Sequence, residues 1–241
     1  MKPALRLPVE AIAPGLHPLP PAAAAYATRV HRLGPGDPVV LFDPDRALEA
    51  DAEIVEVGRR VVTVQVGAPR PAARRPGREV TLLQGVGKGD KLDAIVRDAT
   101  ELGATRIVPV LCERSVARPD AARAARWRRI AIEAARQCGR GDAPVIDPPS
   151  TLAVAAREAA SGDALRLCLD PAADRPIGPS LVALGGRAVI LVVGPEGGLT
   201  PDELAVAEAA GFTRVTFGQL VLRTETVCAA VLGAVLALAG P

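Results

Sequence analysis

The chain has 241 residues, 49% of them hydrophobic but only 2% aromatic, so a core is available and must be built from Ala, Val and Leu. The formal net charge is only +2, which excludes a uniformly basic nucleic-acid binder and leaves any such surface to local clustering. Four cysteines without CxxC spacing and two histidines, His17 and His31, argue against a metal site and for small buried thiols in a reducing compartment.

Taken in chain order, residues 1–70 read as a β domain. "DPVVLFD" (37–43), "ADAEIVEVG" (50–58) and "RRVVTVQVG" (59–67) are short Val-rich runs with rough alternation, split by Gly, Pro and Asp. A Pro-, Arg- and Gly-rich stretch without periodicity follows, and residues 71–78 are expected to be a linker. Residues 79–241 then change rhythm. "EVTLLQG" (79–85) is a predicted strand. The spacing of Leu92, Ile95, Val96, Ala99 and Leu102 predicts a helix that stops at Gly103. "TRIVPVL" (105–111) is a strand, and 120–139 is a long helix with Trp127, Ile130, Ala131, Ala134 and Cys138 along one face. A shorter helix begins at Ser150, and "LRLCLD" (165–170) is a strand. "AVILVVG" (188–194) is apolar on both faces, as in a central parallel strand. A helix, the strand "RVTFG" (214–218), a loop and a last helix from about Thr224 complete the chain. Strands that alternate with helices imply an α/β domain with a mainly parallel sheet. The N-terminus lacks a signal-peptide core. The longest apolar stretch, 227–239, is shorter than the ~20 residues that cross a bilayer, so a cytoplasmic protein without a membrane anchor is expected.

The loop "GPEGG" (194–198) stands between the apolar strand and a helix. Thr200-Pro201-Asp202-Glu203 is a capping box with proline at the first helical position, so the helix start is specified without the glycines. Gly194, Gly197 and Gly198 are free to serve a ligand's close approach to the main chain beyond the carboxyl end of a strand. A tight turn with Glu196 in solvent is the alternative. The loop is neither a GxGxxG fingerprint nor a P-loop, and an acid in place of a base favours a neutral or cationic ligand. "FGQLVLRTET" (217–226) supplies a second glycine-containing strand end, with Leu220, Val221 and Leu222 able to wall an apolar slot.

Four ordered segments carry a resemblance. "KGDKLDAIVRDATELGATRIVPVLCERS" (88–115), "RWRRIAIEAARQCGRGDAPVI" (126–146), "VGPEGGLTPDE" (193–203) and "VLRTET" (221–226) together resemble the RsmE family, bacterial methyltransferases of uridine N3 in 16S ribosomal RNA and members of the SPOUT class. A weaker likeness continues at "YATRVHRLGPGD" (26–37). The resemblance implies an α/β fold whose last third forms a deep trefoil knot, a small N-terminal PUA-like β-barrel that contacts RNA, and a homodimer. It also implies S-adenosylmethionine as cofactor and 16S ribosomal RNA, in the assembled small subunit, as partner. Cofactor-binding positions would be Leu169, Val193, Gly194, Pro195, Glu196, Gly197, Gly198, Gly218, Leu220 and Leu222, with Glu196 near the cofactor's cationic part. The chain departs from the family at Leu220, where arginine is usual, at Arg97-Asp98, usually Gln-Lys, at Arg136, usually Glu, and at His31, usually Leu.

Uracil N3 carries a proton and is a poor nucleophile until it leaves, so positioning, proton removal and stabilisation of the uracil anion are the tasks. Arg223 is the candidate for anion stabilisation, because a guanidinium matches a carbonyl oxygen bearing charge. Glu225 or water would take the proton, and Glu225 is equally a charge suited to a helix start. A base in folded RNA has to be presented or flipped. Arg29, Arg32, Arg114, Arg126 and Arg140, with Arg128 and Arg129, are candidates for phosphate contacts. A knotted ribose 2′-O methyltransferase and a non-catalytic RNA-binding assembly protein are the alternatives.

Overall fold

The fold is that of a computed structural model, which describes residues 4–115, 118–159 and 162–238. The chain forms two compact units, one of residues 1–75 and 132–143, the other of 76–131 and 144–241. The chain therefore passes between the units three times.

In the first unit, β1 (Leu5–Pro8), β2 (Gly15–Pro18), β3 (Pro38–Asp43), β4 (Leu48–Val57), β5 (Val62–Val66) and β6 (Arg70–Pro71) make one sheet. The order is β1-β3-β4-β5-β2, with β6 added to β4. Only the β1–β3 pair is parallel. Alternation in β5 buries Val62, Val64 and Val66 on a core shared with Leu7, Leu41 and Ile54. The strand read from residue 59 starts only at Val62, because Gly58 N–H bonds Val61 O across a tight turn. Just before the predicted linker, Arg70 bridges Asp51 and Glu49, and within it Ala72 N–H bonds Ala47 O.

A short helix, α1 (Pro21–Ala25), continues as a π-type turn over Tyr26–Val30. Arg32 ends it in the left-handed region at φ 57° while Leu33 N–H closes onto Ala27 O. His31 packs edge-on against Tyr26, and the Arg136 guanidinium lies 4.0 Å over the same ring.

The second unit is built on β7 (Val80–Gly85), β8 (Arg106–Leu111), β9 (Val145–Ile146), β10 (Ser150–Thr151), β11 (Ala164–Leu169), β12 (Ala188–Val193) and β13 (Thr213–Val215). All pairs are parallel and the order is β10-β8-β7-β12-β11-β13, with β9 on β8. The doubly apolar β12 lies between β7 and β11. Its Ile190 and Val192 enter a core with Leu83, Val108, Cys168 and the helices α4 (Leu152–Ala159) and α6 (Pro201–Ala209). Val189, Leu191 and Val193 are left for the opposite face.

Helix α2 (Lys91–Glu101) buries Leu92, Ile95, Val96 and Ala99, as its spacing predicts. It ends in a Schellman pair: Ala104 N–H to Ala99 O, and Gly103 N–H to Thr100 O with Gly103 at φ 89°. In α3 (Ala121–Cys138), Trp127, Ala131 and Ala134 are buried, but Cys138 is exposed and Ala135 takes its place. A short α5 (Gly178–Val182) precedes β12, and α7 (Thr224–Leu238) ends the described chain and packs on α2 and α5. Ala239, the last residue of the long apolar run, lies outside the described residues. Among the described residues no helix is long and apolar enough to cross a membrane.

Candidate active site

The loops that follow β11, β12 and β13 leave the same edge of the sheet, because all strands run parallel. Together they enclose a cavity of about 810 Å³, with Lys91 of α2 and Arg114 from the β8–α3 loop at its wall. Such cavities lie beyond the carboxyl ends of strands because loops there are free to vary.

Of the ten positions expected to bind a ligand, Leu169, Val193, Gly194, Pro195, Glu196, Gly198, Leu220 and Leu222 line this cavity, and Arg223 lines it too. Gly197 and Gly218 do not. Gly218 is an exposed turn residue at φ 76° whose carbonyl accepts from Thr216 Oγ1. Glu225 also lies off the cavity, in the first turn of α7, and its Oε2 is buried without a hydrogen-bond partner.

The capping box forms as spaced. Thr200 Oγ1 accepts from Glu203 N–H, and Glu203 Oε2 accepts from Thr200 N–H at 2.9 Å. The glycines answer to protein neighbours. A Cβ on Gly197 would meet the Arg114 stem at 3.2 Å, and Gly198 turns the chain at φ 72° with its N–H on Pro195 O. Gly197 thus makes room for the stem of an arginine of this chain.

Several site residues have no local signal. Gln84 is fully buried at the end of β7, and its amide donates to Thr224 Oγ1 at 3.1 Å. Thr224 Oγ1 in turn donates to Gly194 O at 2.9 Å, so this hydroxyl joins α7 to the end of β12. A Cβ on Gly85 would sit 2.5 Å from both Pro195 N and Pro195 Cδ, so only glycine lets the two strand ends approach. Asp170 lines the cavity beside Leu169, with Oδ2 gripped by Arg214 at 2.5 Å and Oδ1 accepting from Ala172 N–H.

Glu196 accepts from Lys88 N–H at 3.2 Å and pairs with Lys91 Nζ at 2.9 Å. Burial alone would raise this carboxyl, but Lys91 and the N–H groups of Glu196 and Lys88 outweigh it and hold it below the ordinary carboxylate range. The acid expected beside a cationic ligand thus already has a protein cation. Burial pushes the Cys112 and Cys168 thiols up to about 12, so neither serves as a nucleophile.

The candidate phosphate-contacting arginines separate. Arg29 and Arg32 are exposed on the first unit and make no ion pair or hydrogen bond through their side chains among the described residues. Arg140 is 5% exposed and forks onto Asp142, two residues on. Arg126 pairs with Asp93 at 2.5 Å, next to the Trp127 indole that donates to the same carboxylate. Arg114 belongs to the cavity wall, where its Nη1 donates to Gly197 O at 2.7 Å. Arg128 donates to Pro144 O, and Arg129 is exposed.

The profile of the RNA methyltransferase domain family matches residues 74–236. Ribosomal RNA small subunit methyltransferase E of Mycobacterium bovis is 34% identical over 220 residues, 87% of this chain and 82% of that protein. The Bacillus subtilis protein of the same name is 29% identical, over 83% of this chain and 82% of its own. Among solved structures, the Neisseria gonorrhoeae ribosomal RNA small subunit methyltransferase E bound to S-adenosyl methionine is 28% identical. It covers 98% of both chains with a TM-score of 0.89. A putative methyltransferase of Legionella pneumophila in complex with the same cofactor is 29% identical, covers 97% of both chains and gives a TM-score of 0.84.

Proposed function

The chain belongs to the ribosomal RNA small subunit methyltransferase E family, and we propose that it transfers a methyl group from S-adenosylmethionine to N3 of one uridine in 16S ribosomal RNA. The observation that carries the reading is the convergence of the Gly194–Gly198 loop and the Leu220–Thr224 segment on one cavity, in a chain that matches cofactor-bound relatives end to end.

The residues present fit the cofactor. The cavity lies within the usual size of small-molecule sites, roughly 300–1,000 Å³. Leu169, Val193, Leu199, Leu220 and Leu222 offer apolar wall for an adenine, while Asp170 and exposed backbone offer polar partners. When bound, the cofactor supplies a methyl group on a sulfonium, which needs little activation.

The chain's own work is therefore on the base. Arg223 stands at the cavity wall, exposed and with no side-chain partner among the described residues, so its guanidinium is free to meet a uracil carbonyl oxygen as N3 loses its proton. Glu225 does not reach the cavity wall, which leaves water as proton acceptor at the open mouth.

The finer architecture belongs to the same reading. A trefoil knot is supported by the way α7 starts beneath the glycine loop, with Thr224 bonded to Gly194 O and to Gln84. The small mixed sheet of the first unit, with Arg29 and Arg32 exposed, supports a PUA-like RNA-binding domain. A homodimer is supported by α7: beyond buried Cys228, Val231, Leu232 and Val235 it presents partly exposed Val227, Ala230 and Ala234 and exposed Leu236. A stable, active monomer in sedimentation at micromolar concentration would contradict the dimer. The cofactor assignment is tested by calorimetric titration with S-adenosylmethionine. Saturable binding, one molecule per chain, is expected; a folded protein that releases no binding heat would overturn it.

A further inference from the structure

The Gly194–Gly198 loop is held from two sides by cations of other elements, Lys91 at the start of α2 and Arg114 in the β8–α3 loop. On one side, Lys91 Nζ reaches Glu196 Oε1 at 2.9 Å and Lys88 N–H adds a second bond. The carboxylate sits so close over Gly87 that a Cβ there would lie 2.7 Å from Glu196 Oε2. On the other side, Arg114 Nη1 donates to Gly197 O at 2.7 Å, and its stem lies 3.2 Å from where a Cβ on Gly197 would stand. The segment that carries Arg114 is itself fixed, because Glu113 N–H donates to Glu203 Oε1 at 2.9 Å, on the carboxylate that caps α6. Glu196 is the only charged side chain of the loop.

We infer that Lys91 and Arg114 are positioning residues that clamp the glycine loop in its ligand-ready shape, Lys91 through the Glu196 carboxylate and Arg114 through the Gly197 carbonyl. This rests on the reading of the cavity as the S-adenosylmethionine site. Its content is that Glu196 acts on the loop and not on the ligand: its charge is matched within the protein, and its loss loosens the main chain that the ligand must meet. A loop already ordered before binding gives up less freedom when it binds.

The test uses the full chain and two readouts, calorimetric affinity for S-adenosylmethionine and hydrogen exchange of the Gly198 amide in the ligand-free protein. The Lys91–Glu196 pair is part exposed, so Lys91→Met and Glu196→Gln should each weaken binding about fivefold. Their combination should weaken it no further, since both remove the same contact. Arg114→Met should weaken it about tenfold, through loss of a charged donor, and Arg114→Lys should recover part. In each variant Gly198 exchange should accelerate while the melting temperature holds. Additive losses in the double variant, or Glu196→Gln acting at full strength on the Lys91→Met background, would show that Glu196 meets the ligand directly and would overturn the clamp. Unchanged exchange would overturn it too. A wild-type chain that fails to bind S-adenosylmethionine, yet whose Gly198 exchange still depends on Lys91, would sink the cofactor reading and support the clamp.

Discussion

Arg223→Ala separates catalysis from structure most cleanly. The guanidinium is exposed at the cavity wall and makes no hydrogen bond or ion pair among the described residues. Its removal leaves no buried partner unsatisfied and no cavity, so stability should change by no more than about 0.5 kcal/mol. The backbone bond from Val227 N–H to Arg223 O survives the substitution. Loss of one donor aimed at developing negative charge costs about 2.7–4 kcal/mol, a hundred- to thousandfold in turnover. Arg223→Lys should recover little, because an ammonium lacks the planar fork. Melting temperature, cofactor affinity and single-turnover methyl transfer measured on one preparation decide it. If Arg223→Ala lowers melting temperature and cofactor affinity together while turnover per bound cofactor stays intact, Arg223 braces the loop and the catalytic assignment is wrong.

Gly85→Ala would place a Cβ 2.5 Å from Pro195 N and 2.8 Å from Gly194 C; relieving that overlap costs about 1–3 kcal/mol. Thermal melting should show a fall of several degrees, and unchanged melting with unchanged affinity would contradict the close approach. Glu196 is held below the ordinary carboxylate range. Its contribution is therefore present above the unfolded value and lost only as pH falls through the lower folded one. Cofactor affinity, followed by titration across pH, should stay flat from pH 8 down to about 4.3 and fall below it; a loss centred near pH 6 would contradict this. Arg140→Ala should destabilise the protein by about 1–3 kcal/mol, because it strands Asp142. Arg29→Ala should leave melting unchanged and weaken RNA binding with a shallower salt dependence.

The α/β layout was legible because its signals are local. The apolar run of β12 reports burial on both faces, the 3.6-residue rhythm of α2 reports one buried face, and Thr200 and Glu203 meet within one turn. The glycine loop was legible as a place but not as a mechanism. What decides its shape comes from residues 83 to 110 positions away: Arg114 on Gly197, Lys91 on Glu196, Gly85 under Pro195, Gln84 near Gly194. No periodicity or motif spacing carries such pairings. The partners of the arginines are no more visible in the sequence: Asp142 pairs with Arg140 and Asp93 with Arg126. Cys138 sits at helical spacing on the face of Trp127 but near the end of α3, where it is exposed.

The most direct test of the account is transfer of labelled methyl from S-adenosylmethionine to small ribosomal subunits lacking the modification, followed by digestion and identification of the labelled nucleoside. The account predicts 3-methyluridine from one position of 16S ribosomal RNA, made by the wild-type chain and nearly absent with Arg223→Ala. Label in a ribose-methylated nucleoside, or no transfer by a chain that binds the cofactor, would contradict it.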